Sequence, residues 1–449
     1  MMNQEFGLKK IFGNSMWQIL EKVLTMILSV IVTSIIARYL GTEKYGLANY
    51  IISIVMIFTT FSTLGMERIT INDIVNKKYS KENIIGTSFV IRLLGGIVLI
   101  LVSQISIYVL TNGDMLSQIL GIIMGTCMLL KAFEVIEYYL QAEMRLKITA
   151  IIRFITAIVV GIAKILVVYF DLGVIGFIST YLIDAITAAL LFWIYYKMHN
   201  KERLIIDKEY AKSLLKRCWY IAISGIMTTI YMRIDQIMLG SMLTNKSENG
   251  IYSAAVRIAE MWYFVPQAIV SSFQPVIIKK KSEKDEKEYK QTVQQMYDIV
   301  AIIGIIFGIL ISAFGWIAVN ILYGEEYNGA TEVLSISVWA GLFATLGTAR
   351  SVWLVVENKQ KYTLVYTLAG CIINIVLNSI LIPRMGAIGA AVATLLAQLI
   401  ANIFPLMLFR ETRESSMMIL KAIFKNSNCI KFVKKIVLKI RAYKNGRNE

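Results

Sequence analysis

The chain has 449 residues, 57% of them apolar and only 17% charged, and its mean hydropathy is +0.63. Soluble domains average about 25% charged residues, so a string of soluble domains of this total length is excluded. The net charge is nevertheless +16, and its placement decides between a polyanionic partner and a membrane protein with one basic side.

A helix needs roughly 20 mostly apolar residues to cross about 30 Å of hydrocarbon. Twelve such stretches are predicted, in chain order 14–37, 46–66, 84–110, 116–140, 148–170, 173–196, 218–242, 250–278, 292–322, 329–356, 362–383 and 387–409. The count is softest by one pair around 291–356. Lys9 and Lys10 precede the first run, but that run is full length and no small-residue cleavage site follows, so it reads as a span rather than a signal peptide. The fold class expected is an all-α integral membrane protein of about twelve helices.

Orientation follows from Lys and Arg in the connections. With the N-terminus cytoplasmic, the inside segments hold Lys77, Lys78, Lys81, Arg145, Lys147, Arg203, Lys208, Lys216, Arg217 and the run KKKSEKDEKEYK at 279–290. The outside turns GTEKYG, TNGD, DLG, TNKSEN, YGEEYN and PRMG are short and nearly free of positive charge. Inside segments total 34 basic and 16 acidic residues, outside turns 4 and 6, and spans 8 and 8, which accounts for the whole +16. The excess is therefore a topology signal, and nucleic acid is not expected as a partner. Both termini are expected in the cytoplasm. In the tail from about 415, Phe432, Val433, Ile436, Val437 and Ile440 share one helical face and Lys431, Lys434, Lys435, Lys439 and Arg441 the other, the pattern of a helix lying on an anionic inner leaflet.

The chain repeats itself. EKYGLANYIIS (43–53) resembles SENGIYSAAVR (247–257), and DLGVIGFISTYLID (171–184) resembles RMGAIGAAVATLLA (384–397), with Gly173 and Gly176 matching Gly386 and Gly389. Both halves start inside and hold six spans, so they run parallel, which implies a pseudo-twofold axis along the membrane normal and a central cavity between two lobes. The lobes are expected at 1–200 and 201–414, with a basic cytoplasmic tail at 415–449. That is a transporter architecture.

Five segments carry a family resemblance. RIDQIMLGSMLTNKSENGIYSAAVRIAE (233–260), ARYLGTEKYGLANY (37–50), EVIEYYLQAEMRLK (134–147), NSILIPRMGAIGAAVATLLAQ (378–398) and YGEEYNGATEVLSI (323–336) resemble, in order, segments of the bacterial polysaccharide flippases of the multidrug/oligosaccharidyl-lipid/polysaccharide exporter superfamily. The resemblance implies movement of undecaprenyl-diphosphate-linked oligosaccharide across the bacterial inner membrane by alternating access, for O-antigen, capsule or a related polymer. It also implies the lipid-linked glycan and membrane lipids as partners, with other polysaccharide assembly proteins beside them.

Soluble catalysis lacks parts here. The four cysteines, Cys127, Cys218, Cys371 and Cys429, are far apart, and His199 is the only histidine, which leaves no zinc set and no His-based triad. No metal and no cofactor are expected, and the chain is not expected to be an enzyme. A membrane polysaccharide polymerase or ligase would need a sizeable outside loop, and none is present. A multidrug or toxin exporter of the same superfamily is the closer alternative, but its substrates are often cations.

Ionisable groups within spans are costly and mark function by default. Some have simpler readings. Lys131 with Glu134 and Arg257 with Glu260 sit at i,i+3, the spacing of local ion pairs, whereas Arg153, Asp298, Glu332 and Arg350 lie near span ends, where they can snorkel. For a diphosphate passing through a low-dielectric cavity, compensating cations are needed; the expected set is Arg92, Lys164, Arg233 and Arg257, with Lys22. Glu21, Asp184 and Asp235 could couple export to protons or sodium ions, or each could simply neutralise a neighbouring Arg or Lys. Trp262 and Tyr263 precede Pro266 and Pro275 in the eighth stretch, which is expected to be kinked, with Trp262 read as packing.

Overall fold

A computed structural model describes residues 2–200 and 203–424, the side chains of 2–20 and 403–408 excepted. Among the described residues all regular structure is helical. In chain order the helices are α1 (Met2–Ile57), α2 (Thr59–Thr63), α3 (Glu67–Val75), α4 (Lys81–Leu110), α5 (Met115–Leu130), α6 (Val135–Ala142), α7 (Leu146–Tyr169) and α8 (Gly173–His199). They continue as α9 (Lys208–Met242), α10 (Ser247–Glu260), α11 (Phe264–Ser282), α12 (Glu286–Leu322), α13 (Ala330–Val356), α14 (Lys361–Leu408) and α15 (Arg413–Phe424).

Among the described residues, eight helical stretches are long and apolar enough to cross a membrane. The first, Glu21–Val75, has 55 residues and the last, Lys361–Asn402, has 42, each at least twice the length one crossing needs. Each is broken by a glycine in left-handed conformation, Gly41 at φ 71° and Gly386 at φ 55°, and so holds two of the predicted spans. The two spans still to be placed are α9 and the α10–α11 pair. They are long but more polar; α9 carries Arg233, Asp235 and Gln236 within its apolar part. The twelve-span layout read from the sequence is thus consistent with the helices, and α12 and α13 are two separate elements. The protein is a multi-pass membrane protein.

The internal repeat is visible in the backbone. Gly173 (φ 60°) and Gly386 (φ 55°), matched at an offset of 213 in the sequence, both have positive φ, which glycine adopts with least strain. The other match, at an offset of 204, pairs Phe58 with Trp262. Phe58 is where α1 gives way to α2, and Met261–Tyr263 is the 3-10 turn between α10 and α11. The expected kink of the eighth span therefore falls at Trp262 itself, and Pro275 continues within α11. Gly46 and Gly250, also 204 apart, lie against each other. A methyl on Gly46 would fall 1.9 Å from the Lys246 carbonyl oxygen, and one on Gly250 would fall 2.1 Å from that of Thr42. Thr42 and Lys246 are again repeat-related, so each half presents the same glycine to the same carbonyl of the other.

The helices group into two compact units. The first runs to Ser253 and takes in Ile321–Tyr327; the second holds the described residues from Ala254 onward apart from that segment. In the first, a core of Met66, Ile84, Val135, Phe192, Tyr210 and Leu214 lies at the end carrying basic connections. There Asp207 caps α9, accepting from the Glu209 and Tyr210 amides, and also accepts from Asn83 Nδ2 at 2.9 Å. The buried Asp73 receives Arg217 at 2.9 and 2.6 Å and the Tyr210 hydroxyl at 3.1 Å. These bonds fix the start of α9 against α3 and α4. At the opposite end Glu326 accepts from the Thr42 amide at 2.8 Å, and Arg38 Nε donates to the Leu322 carbonyl at 2.9 Å. This explains why Ile321–Tyr327 belongs to the first unit.

The core of the second unit includes Val270, Tyr297, Trp353 and Tyr366. Trp262 stacks on Phe307 at 5.3 Å, in keeping with its reading as packing. Arg350 departs from expectation. It does not snorkel but is 94% buried, with its guanidinium 4.5 Å from the Tyr366 ring centroid and one nitrogen 3.4 Å from the Ala401 carbonyl. At the polar end Glu357 accepts from the Tyr289 hydroxyl at 2.7 Å and pairs with Lys281 at 2.9 Å, while Lys290 pairs with Glu414 at 2.7 Å. On α15, Met418, Ile419 and Ala422 enter the core. The amphipathic pattern expected at Lys431–Arg441 lies outside the described residues.

Candidate functional site: a charged cavity in the first unit

Three helices of the first unit, α1, α7 and α8, bring Lys22, Lys164 and Asp184 to the wall of one cavity of about 400 Å³, together with Thr25 and Ser29. The remainder of the wall is small or aliphatic, including Gly161 and Val160. Lys22 is exposed on α1. Lys164 is 93% buried; its ammonium donates to Thr33 Oγ1 at 3.1 Å and lies within 6 Å of the Phe177 and Tyr181 ring centroids. Two cations and one carboxylate thus share a space large enough for a phosphorylated head group. In such low-dielectric surroundings, charges act far more strongly than in water.

The other residues expected to serve the site are placed elsewhere. Glu21 precedes Lys22 on α1, half-buried, and Thr25 Oγ1 donates to its carbonyl at 2.8 Å. Arg92 on α4 is 99% buried, donating to the Tyr138 hydroxyl at 2.9 Å and pairing with Glu134 at 3.1 Å. On α9, Asp235 is buried and accepts from the Tyr252 hydroxyl at 2.7 Å, while Arg233 is half-buried with a nitrogen 3.5 Å from Gln236 Oε1. Arg257 is half-buried on α10 in the second unit. The structure therefore groups Lys22, Lys164 and Asp184, and the lining of this cavity does not include Glu21, Arg92, Arg233 or Asp235.

A further charge cluster adjoins the cavity. Glu134, expected to pair with Lys131 three residues before it, instead forms ion pairs with Arg92 and Arg153, from α4 and α7. Arg153, expected to snorkel, spans Glu134 and Glu137 at 3.0 and 2.5 Å. The signal in the sequence was the stripe Lys131, Glu134, Glu137 at three-residue spacing within a single span. Three like-spaced charges in hydrocarbon need partners from other helices.

This is the fold of a multi-pass membrane transporter. The chain superposes on a lipid II flippase, MurJ, in an inward closed conformation with a TM-score of 0.69 at 17% identity, covering 92% of this chain and 91% of that one. It superposes on a multidrug resistance MATE family transporter in an inward-facing conformation with a TM-score of 0.72 at 13% identity, covering 90% and 96%. Residues 35–332 match the family described as Polysaccharide biosynthesis protein, and the chain belongs to that family. It is 24% identical over 405 residues to the capsular polysaccharide biosynthesis protein CapF of Staphylococcus aureus, covering 87% of this chain and 97% of that protein. It is 27% identical over 189 residues, 42% of the chain, to the probable low-salt glycan biosynthesis flippase Agl15 of Haloferax volcanii. The match spans about two fifths of the length of that relative, at 39%.

Proposed function

We propose that the chain is a flippase that carries a lipid-linked oligosaccharide diphosphate, with undecaprenyl as the lipid, across the bacterial cytoplasmic membrane for surface polysaccharide synthesis. The observation that carries the reading is the cavity in which Lys22 and Lys164 stand with Asp184 inside the membrane-spanning helices of a polysaccharide biosynthesis protein. A diphosphate moving through hydrocarbon needs cations in place of the water that would otherwise solvate its charge. Arg92, Arg233 and Arg257 belong to the same reading as further stations for the diphosphate. Glu21, Asp184 and Asp235 are the carboxylates through which a proton or sodium gradient would drive export. Lobes 1–200 and 201–414 would alternate access, with both termini in the cytoplasm and the tail 415–449 on the anionic inner leaflet.

The fold likeness to a multidrug transporter supports a second reading, a multidrug exporter. A cationic drug would meet two lysines against one carboxylate in this cavity, which favours the anionic substrate. The reading is of a transporter rather than an enzyme. Deletion of the gene is expected to leave lipid-linked precursor accumulating on the inner leaflet while surface glycan is lost. Intact glycan and no precursor accumulation, in a strain with no second flippase, would sink the proposal.

A further inference from the structure

At the end of the helices that charge segregation assigns to the outside, two charged side chains serve helix ends far away in the chain. Arg38 lies in the last turn of α1 before its break at Gly41. It donates from Nε to the Leu322 carbonyl at 2.9 Å and from Nη2 to the Ile321 carbonyl at 2.5 Å. These are C-terminal carbonyls of α12, which the helix itself leaves without donors and where a cation is favoured. Glu326 returns the contact. Its Oε1 accepts from the Thr42 amide at 2.8 Å and from the Thr42 hydroxyl at 3.1 Å, where α1 starts again after Gly41 and an anion is favoured. The buried Tyr327 adds a bond from its hydroxyl to the Ala37 carbonyl at 2.8 Å. A side chain at position 41 would break this arrangement, since a methyl there would stand 2.8 Å from Glu326 Oε1. The corresponding turn of the other half is satisfied locally: Lys246 donates to the Leu243 carbonyl at 3.1 Å and to that of Gly240. The first turn instead takes its partners from 284 residues further along the chain.

We infer that this exchange of caps is an outer latch, which holds the outside end of the cavity shut and releases each time the cavity opens outward. Up to Asn320, α12 belongs to the second unit, and only Ile321–Tyr327 joins the first. The latch therefore grips the chain where it passes from one unit to the other. On its other side it grips α1, whose last residue on the cavity wall is Val32, about 9 Å along the helix from Arg38 at 1.5 Å per residue. In alternating access the two halves part at one face and then at the other. While Arg38 and Glu326 keep their partners, the outer end of α1 cannot leave the end of α12. The bonds suit a contact that breaks once per cycle. Arg38 and Glu326 are exposed, so water replaces each partner as it leaves, and the net cost of release is small for every bond. The inference rests on reading the protein as a carrier with alternating access, and not on which head group it carries.

The test uses the full-length protein in intact cells, with Thr25→Cys on the cavity wall and a membrane-impermeant thiol reagent. The rate of labelling from outside reports how often the cavity opens that way. Arg38→Ala and Glu326→Ala are each expected to raise this rate about fivefold, the worth of a modest hydrogen bond. Tyr39→Phe is the control. Its hydroxyl accepts from the Gly173 amide at 2.8 Å and donates to Asp171, so it ties the same end of α1 to α8, and its loss should leave the rate unchanged. Protein levels and size-exclusion profiles of the variants should match. If neither Arg38→Ala nor Glu326→Ala speeds labelling, the inference fails. It also fails if Tyr39→Phe speeds labelling as much, for then any loosening of the outer end suffices. Lost glycan export on gene deletion together with unchanged labelling in both latch variants overturns the latch alone. A Thr25→Cys that reacts from neither side of the membrane overturns the cavity reading and the latch together.

Discussion

Single charges do different work at different depths of this protein. At the polar end of the second unit, burial raises the Glu357 carboxyl. The hydrogen bonds from Lys281 and Tyr289 and the charges of Lys281 and Lys359 outweigh that effect, and the group is held below its ordinary 4.5. A carboxyl depressed in the folded state contributes stability that is present above its unfolded value and is lost as pH falls through the folded one. Thermal unfolding in detergent is therefore expected to show a falling midpoint as pH drops below about 4.5, with a shallower fall in Glu357→Gln; equal slopes for the two proteins would refute the assignment. Residues such as Lys22, Lys164 and Asp184 were legible in the sequence because each is a charge deep in an apolar run, Lys22 beside Glu21 and the other two alone. Arg153 and Glu134 were not, because spacing along one helix suggested local partners or an escape to the interface. Their partners lie on other elements: Arg92 on α4 is 42 residues before Glu134, and Arg153 on α7 is 16 and 19 residues beyond Glu137 and Glu134. Arg350 was misjudged for the same reason, since its nearest aromatic partner lies on the following helix.

Among the elements, most spans were legible because apolar length alone defines them. Two of the breaks were legible as well: Gly41 and Gly386, which interrupt stretches that otherwise continue as helix, fall within the turns GTEKYG and PRMG. The Gly46–Gly250 approach was not legible at all: a glycine in a helix is neutral text until another backbone is known to lie against it. With Lys246 O at 1.9 Å and Thr42 O at 2.1 Å from the positions a methyl would take, neither glycine can gain one without the helices moving apart. Gly46→Ala or Gly250→Ala is expected to lower stability by about 1–3 kcal/mol through overpacking. Gly161→Ala, whose methyl would meet Leu28 at an ordinary 3.7 Å, should be tolerated. Unfolding midpoints of the three variants decide it; a Gly161→Ala as damaging as the other two would count against the argument.

For the molecule as a whole, charge segregation gives the expected topology. The connections rich in Lys and Arg are assigned to the cytoplasm, and a membrane-impermeant thiol reagent can test the assignment in intact cells. Glu283→Cys, in the 279–290 stretch, should stay unlabelled until the membrane is opened, while Asn245→Cys, in the turn between α9 and α10, should react at once. The reverse pattern would invert the topology. Native Cys127, Cys218 and Cys371 are buried and give little background.

The crossing of Gly46 and Gly250 carries a last consequence. Two positions that correspond by repeat touch each other, and each meets the carbonyl that corresponds to the one its counterpart meets. That is the signature of an isologous interface, in which a surface patch packs on its own image about a twofold axis. At this crossing neither half can depart from glycine on its own, because a side chain gained by either would collide with the backbone of the other.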